Sequence, residues 1–198
     1  SAGTPPTVTQ TIAQGLGSPT YFAVGTGITY YYYESGNPNV AGSWGTTPGA
    51  GLGTAAPNFI TAGNVFVIEN GYTAALTANL PFGSGASGVT LTVQSGGTLN
   101  TGTFAVQFAG NSSVFNLQDG STFMTQNING LNGTANNTGS VQITAGTPAS
   151  VTINYGTAVN FVFGNIGANR LMEFGPSGNK PTLPQVANLT ANAGTPGI

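Results

Sequence analysis

The chain has 198 residues, 39% of them hydrophobic, with two lysines or arginines, four acids, no histidine and no cysteine. Eleven phenylalanines supply a core, and a charged share of 3%, against about 25% in ordinary domains, is too low for a self-repelling disordered chain. The two cations, Arg170 and Lys180, exclude an electrostatic nucleic-acid surface and a polybasic membrane patch, and no apolar run reaches the ~20 residues of a membrane span.

Glycine supplies 32 residues without a three-residue period, so a collagen helix is excluded. Together with abundant Thr and Asn it suits short strands joined at tight corners, since Thr fits a pleated surface while Gly and Asn tolerate positive φ. A net charge of −2 leaves little repulsion between copies, which points to a chain at ease beside copies of itself.

In chain order, residues 1–20 form an N-terminal arm in which Val8 to Ile12 (VTQTI) make one short strand. That strand either pairs with its own domain or extends a sheet edge on another copy. Residues 21–35 are rich in β-branched and aromatic side chains and are strand-forming. They include four consecutive tyrosines, Tyr30 to Tyr33. Strand geometry puts Tyr30 and Tyr32 on one face and Tyr31 and Tyr33 on the other. One pair packs inward. The other, taken as Tyr31 and Tyr33, faces solvent or a partner subunit, with sugar stacking as the alternative use. Residues 36–63 are loop-like, with Trp44 and Phe59 as buried anchors. NVFVIENGYTAAL (64–76) gives a strand carrying Phe66 and Ile68, a turn at Asn70–Gly71, and another strand.

From residue 88 short alternating pieces recur: Val89, Leu91 and Val93; Phe104, Val106 and Phe108; then SVQITAG, SVTINYG and VNFVFG. Each ends at a small-residue corner, and GGTL (96–99), GNSSVF (110–115) and GSTF (120–123) begin alike. Stacked, equivalent positions of this kind predict an all-β chain folded as a parallel β-helix, with Val, Leu, Phe and Ile inward. A β-sandwich with a strand-exchange arm is the alternative. Residues 127–140 are an excursion. In 164–175, Arg170 and Glu173 sit three apart, to pair on a helical turn or to lock a neighbouring subunit. The expected organisation is an arm at 1–20, a solenoid at 21–175 (cap or entry module 21–87, coils 88–175) and a C-terminal arm or linker at 176–198.

The stretch from Tyr31 to Gly71, with YYYESG followed by Trp44, Gly51, Gly53, Pro57, Phe59, Phe66, Ile68, Asn70 and Gly71, resembles the opening module of large secreted surface β-helix proteins of the Bacteroidota. The resemblance covers roughly residues 28–125. It implies a secreted cell-surface protein, exported through the type IX route, of the kind found in adhesive or motility filaments, and it brings no catalytic residues. The usual C-terminal sorting domain of that group is not seen in this sequence.

Chemistry has few carriers. Nucleophilic triads and zinc sites lack their histidine and cysteine. Four acids (Glu34, Glu69, Asp119 and Glu173) do not cluster in sequence as paired glycosidase carboxylates or calcium ligands would. Asp119 before Gly120 is a turn residue. Thr-x-Thr pairs such as Thr90/Thr92 and Thr101/Thr103 do not recur in every coil, as a threonine ladder requires. The expectation is therefore a non-enzymatic extracellular structural subunit without cofactor or metal. It would assemble with copies of itself into a surface filament, fibre or ring, with Tyr31, Tyr33, Val8, Ile12, Arg170 and Glu173 as subunit contacts. The alternative is a glycan-binding adhesin module.

Overall fold

A computed structural model describes residues 27–164, apart from 35, 50, 86, 128, 132–137 and 145–150, together with the backbone of 188–192. Strands β1 (Thr29–Tyr32), β2 (Trp44–Gly45), β3 (Val65–Ile68), β4 (Thr73–Ala75), β5 (Leu80–Gly85), β6 (Thr90–Val93) and β7 (Thr98–Asn100) come first. They are followed by β8 (Val106–Gly110), β9 (Val114–Leu117), β10 (Thr122–Thr125), β11 (Val141–Ile143), β12 (Thr152–Tyr155), β13 (Asn160–Gly164) and β14 (Asn188–Asn192). The strands form three sheets: A in the order β12-β9-β6-β3-β1-β2, B in the order β14-β13-β10-β7-β4, and C in the order β11-β8-β5.

From β3 to β13 the chain visits sheets A, B and C in turn and then steps to the next coil, so each strand lies beside one a full coil away. Every strand pair is parallel except β1 with β2. This is a parallel β-helix. Antiparallel hairpins, the basis of the sandwich alternative, do not build these sheets.

The register shows why the sequence folds this way. Thr90 pairs with Val114 and Thr98 with Thr122, a step of 24 residues, and β6 to β10 start at residues 90, 98, 106, 114 and 122. Each side of the coil thus takes about eight residues. Alternation within a side sends one set of side chains inward, where they stack in columns. Tyr30, Phe66, Leu91, Phe115 and Ile153 form one column in sheet A, and Ile68, Val93, Leu117 and Tyr155 another. Ala74, Leu99, Phe123 and Phe161 line sheet B, and Phe82 and Phe108 stack in sheet C with ring centres 5.9 Å apart. Each large apolar side chain fully buried this way stabilises by about 1.5–3 kcal/mol.

The corner between sheets A and B repeats with the coil. Gly71, Gly96 and Gly120 hold φ values of 84°, 76° and 77°. Their amides link up the stack: Gly71 N–H to Gly96 C=O at 3.1 Å, Gly96 to Gly120 at 3.0 Å and Gly120 to Ala158 at 2.8 Å. This left-handed backbone is one that glycine adopts without steric cost. Asn70–Gly71 is therefore a corner between two sheets and not the tip of a hairpin, because β3 belongs to sheet A and β4 to sheet B.

Strand pairing runs across two of the expected divisions. At residue 88, β3 of the entry module pairs directly with β6 of the coils. Asn188–Asn192 continues sheet B beside β13, so that part of 176–198 belongs to the solenoid. The excursion between β10 and β11 lengthens the step to 35 residues, from Val106 to Val141, and the segment between β11 and β12 brings it to 38, from Thr122 to Asn160, with each pair still in register. Of the alike-starting phrases, GGTL and GSTF are stacked equivalents in sheet B, while GNSSVF leads into β9 of sheet A.

Candidate functional site

Among the described residues, the features that distinguish one part of this solenoid from another are its N-terminal end and its outer faces. The end is an aromatic plug. Tyr30 and Tyr32 are buried, at 3% and 2% exposure, as are Trp44, Phe59, Phe66 and Ile68. Trp44 meets Phe66 edge-on at 5.5 Å and Phe59 at 6.1 Å, and Tyr32 packs at 5.2 Å. Phe59 in turn reaches Phe82 of the first full coil at 5.3 Å. Edge-to-face packing of this kind adds to simple burial.

The loop that delivers these rings is fastened by polar groups. The Trp44 indole N–H donates to Pro38 C=O at 3.0 Å, and the Tyr32 hydroxyl donates to Gly36 C=O at 2.6 Å. The Asn39 side chain receives the Thr77 N–H at 2.8 Å and donates to Ala78 C=O at 2.8 Å. The Glu69 carboxylate receives the Gly49 N–H at 2.7 Å. Burial, and after it the Glu34 carboxylate, raise the Tyr32 pKa above the usual tyrosine value.

Tyr31 and Tyr33 are only partly buried. Tyr31 lies in sheet A between Gly45 and Val67, on the opposite face from Tyr30 and Tyr32. Ile28, Val40 and Ile60, the large apolar side chains left exposed among the described residues, also belong to this end. Val8, Ile12, Arg170 and Glu173 lie outside the described residues, so their places relative to the tyrosines are not part of this site.

Along the outer faces, polar side chains bond to the neighbouring coil. The Gln107 amide donates to Gln142 at 2.7 Å across sheet C, and the Asn154 amide donates to Asn116 at 2.8 Å across sheet A. Asp119 receives the Ala158 N–H at 3.0 Å, bracing the next corner. Sequence reasoning took Asp119 as a turn residue in its own coil; its hold on the coil that follows depends on the stacking register and has no local signal. Thr101 is fully buried while Thr103 is exposed, so this Thr-x-Thr pair forms no ladder face. Among the described residues no group of three or more His, Cys, Asp or Glu side chains is placed to hold a metal ion, and no helix is long and apolar enough to cross a membrane.

The arrangement can therefore bind through edges, exposed aromatics and uncharged faces. No family model, curated protein or solved structure matches the chain.

Proposed function

We propose that this chain is an extracellular, non-enzymatic structural protein that associates with copies of itself into a filament, fibre or ring used in surface attachment. The observation that carries the proposal is the use made of its polar groups. Gln107, Asn116, Asp119 and Asn154 stabilise the next coil, and no cation occurs among the described residues. Such a rod offers neighbours shape, main-chain edges and apolar contacts in place of charge. The extracellular setting follows the resemblance of residues 28–125 to secreted surface β-helices. The plug at the N-terminal end caps the stack as a terminal repeat does. Association then runs through connectors, for which residues 1–20 and the part of 176–198 beyond β14 are proposed.

Electron microscopy and analytical ultracentrifugation of the full chain test this. Polymers or closed rings are expected, and their loss on removing residues 1–20. A chain that stays monomeric at all concentrations overturns the proposal. The partial exposure of Tyr31 and Tyr33 favours a second reading, glycan binding. Saturable binding on a glycan array, abolished by Tyr31→Ala or Tyr33→Ala, would support that reading instead.

A further inference from the structure

The three sheets end differently at the plugged end. Sheet A finishes on β2, which runs antiparallel and so offers no parallel coil a continuation. Sheet C finishes on β5. There the Leu80 N–H donates inward along the stack to Ala105 C=O at 2.9 Å, so the next residue, exposed Pro81, faces the open side without an N–H to give. Proline and short length are common guards of a sheet edge. The Gly83 N–H on that side is taken by Phe59 C=O at 2.9 Å.

Sheet B finishes on β4, and its edge is not guarded in this way. Tyr72 C=O accepts from the Thr98 N–H at 2.9 Å and the Leu76 N–H donates to Asn100 C=O at 2.8 Å. Residues 72, 74 and 76 therefore direct their main-chain groups to β7, and by alternation residues 73, 75 and 77 direct theirs away. The Thr77 N–H is captured by Asn39. Thr73 and Ala75 are exposed, and among the described residues no strand lies on their outer side. Two N–H and two C=O groups thus face outward from an edge whose sister edges are closed.

We propose that the β4 edge is the seat for an extended strand from a second copy of this chain, which adds to sheet B through main-chain hydrogen bonds. The inference rests on the self-association proposed above and names its seat. The donor is the stretch Val8 to Ile12, VTQTI, which is uncharged and rich in β-branched residues. A chain with net charge −2 opposes its approach with little repulsion, and an added strand continues a sheet whose outer column already holds Thr73, Thr98 and Thr122.

The chain has no cysteine, so introduced thiols report unambiguously. Thr9→Cys and Thr73→Cys variants, mixed under oxidising conditions, are expected to give a disulfide-linked dimer of the two, and the double variant a ladder of linked polymers. A Thr11→Cys and Ala75→Cys pair covers a shift in register. Closure of the double variants on themselves as monomers, or no linkage with either pair, overturns the inference. In parallel, Ala75→Pro removes one outward N–H without touching the bonds to β7. It should raise the concentration needed for assembly about tenfold, the equivalent of one or two main-chain hydrogen bonds, with its circular dichroism spectrum unchanged. If the parent chain assembles and Ala75→Pro assembles equally well, the seat is wrong while the proposed function stands. If the parent chain never assembles, both fall.

Discussion

Tyr155 closes the inward column of Ile68, Val93 and Leu117 with a hydroxyl that is buried and has no hydrogen-bond partner among the described residues. An unpaired buried hydroxyl costs about 1–3 kcal/mol. Tyr155→Phe keeps the ring contacts with Phe115 and Phe161 and should raise stability by about 1 kcal/mol, or Tm by about 2–4 °C, in a thermal melt. Tyr32→Phe should do the opposite by a similar amount, because its hydroxyl is satisfied by Gly36. Burial raises the pKa of both tyrosines. The folded chain then holds protons that the unfolded chain gives up above about pH 10. Stability should be fully present below that pH and fall as pH rises beyond it. Melts between pH 8 and 11.5 would show the decline, and a shallower decline in Tyr155→Phe. Trp44→Ala empties the centre of the plug and should cost about 3–5 kcal/mol in a denaturant titration. Gly45, next to Trp44, has no room for a side chain of its own: a Cβ there would overlap the carbonyl oxygen of Leu52.

At the scale of strands, alternation in the sequence was enough to place Leu91, Val93, Val106 and Phe108 inside, because burial on one face repeats every second residue. It also separated Tyr30 and Tyr32 from Tyr31 and Tyr33, and the excursion after β10 showed in its run of Asn and Gly. Other features were hidden for physical reasons. An Asn–Gly pair requires a positive φ but does not say whether the strands on either side pair with each other, so the corner at Gly71 carries no local mark that separates it from a hairpin. The mark is distant: glycines at 71, 96 and 120, one coil apart. The strand at Asn188–Asn192 has one large apolar residue, Leu189, and follows a proline-rich stretch, so its neighbour β13 and not its own pattern makes it a strand. The unguarded edge of β4 was invisible because openness depends on which strands come to lie alongside. Guarding by Pro81 makes a prediction of its own. Pro81→Ala restores an outward N–H to sheet C and should increase edge-to-edge aggregation through the plugged end, measured by light scattering, with little change in the melt.

For the molecule as a whole, the scarcity of charge sets how the proposed assembly would respond to its medium. Salt screens ion pairs and leaves hydrogen bonding and apolar contact in place, so polymers should persist in 1 M NaCl, where the Debye length is about 3 Å. Sedimentation across a salt series checks this, and dissolution at high salt would show that scarce charges govern the contacts. The coil step has a mechanical meaning as well. Hydrogen bonds between coils lie along the rod, so a chain pulled from its C-terminal side is peeled one turn at a time while the aromatic plug anchors the far end. Each 24-residue turn released under load would pay out roughly 80 Å of extended chain. A rod built this way would release chain in steps of 24, 25 or 38 residues and absorb work at each one.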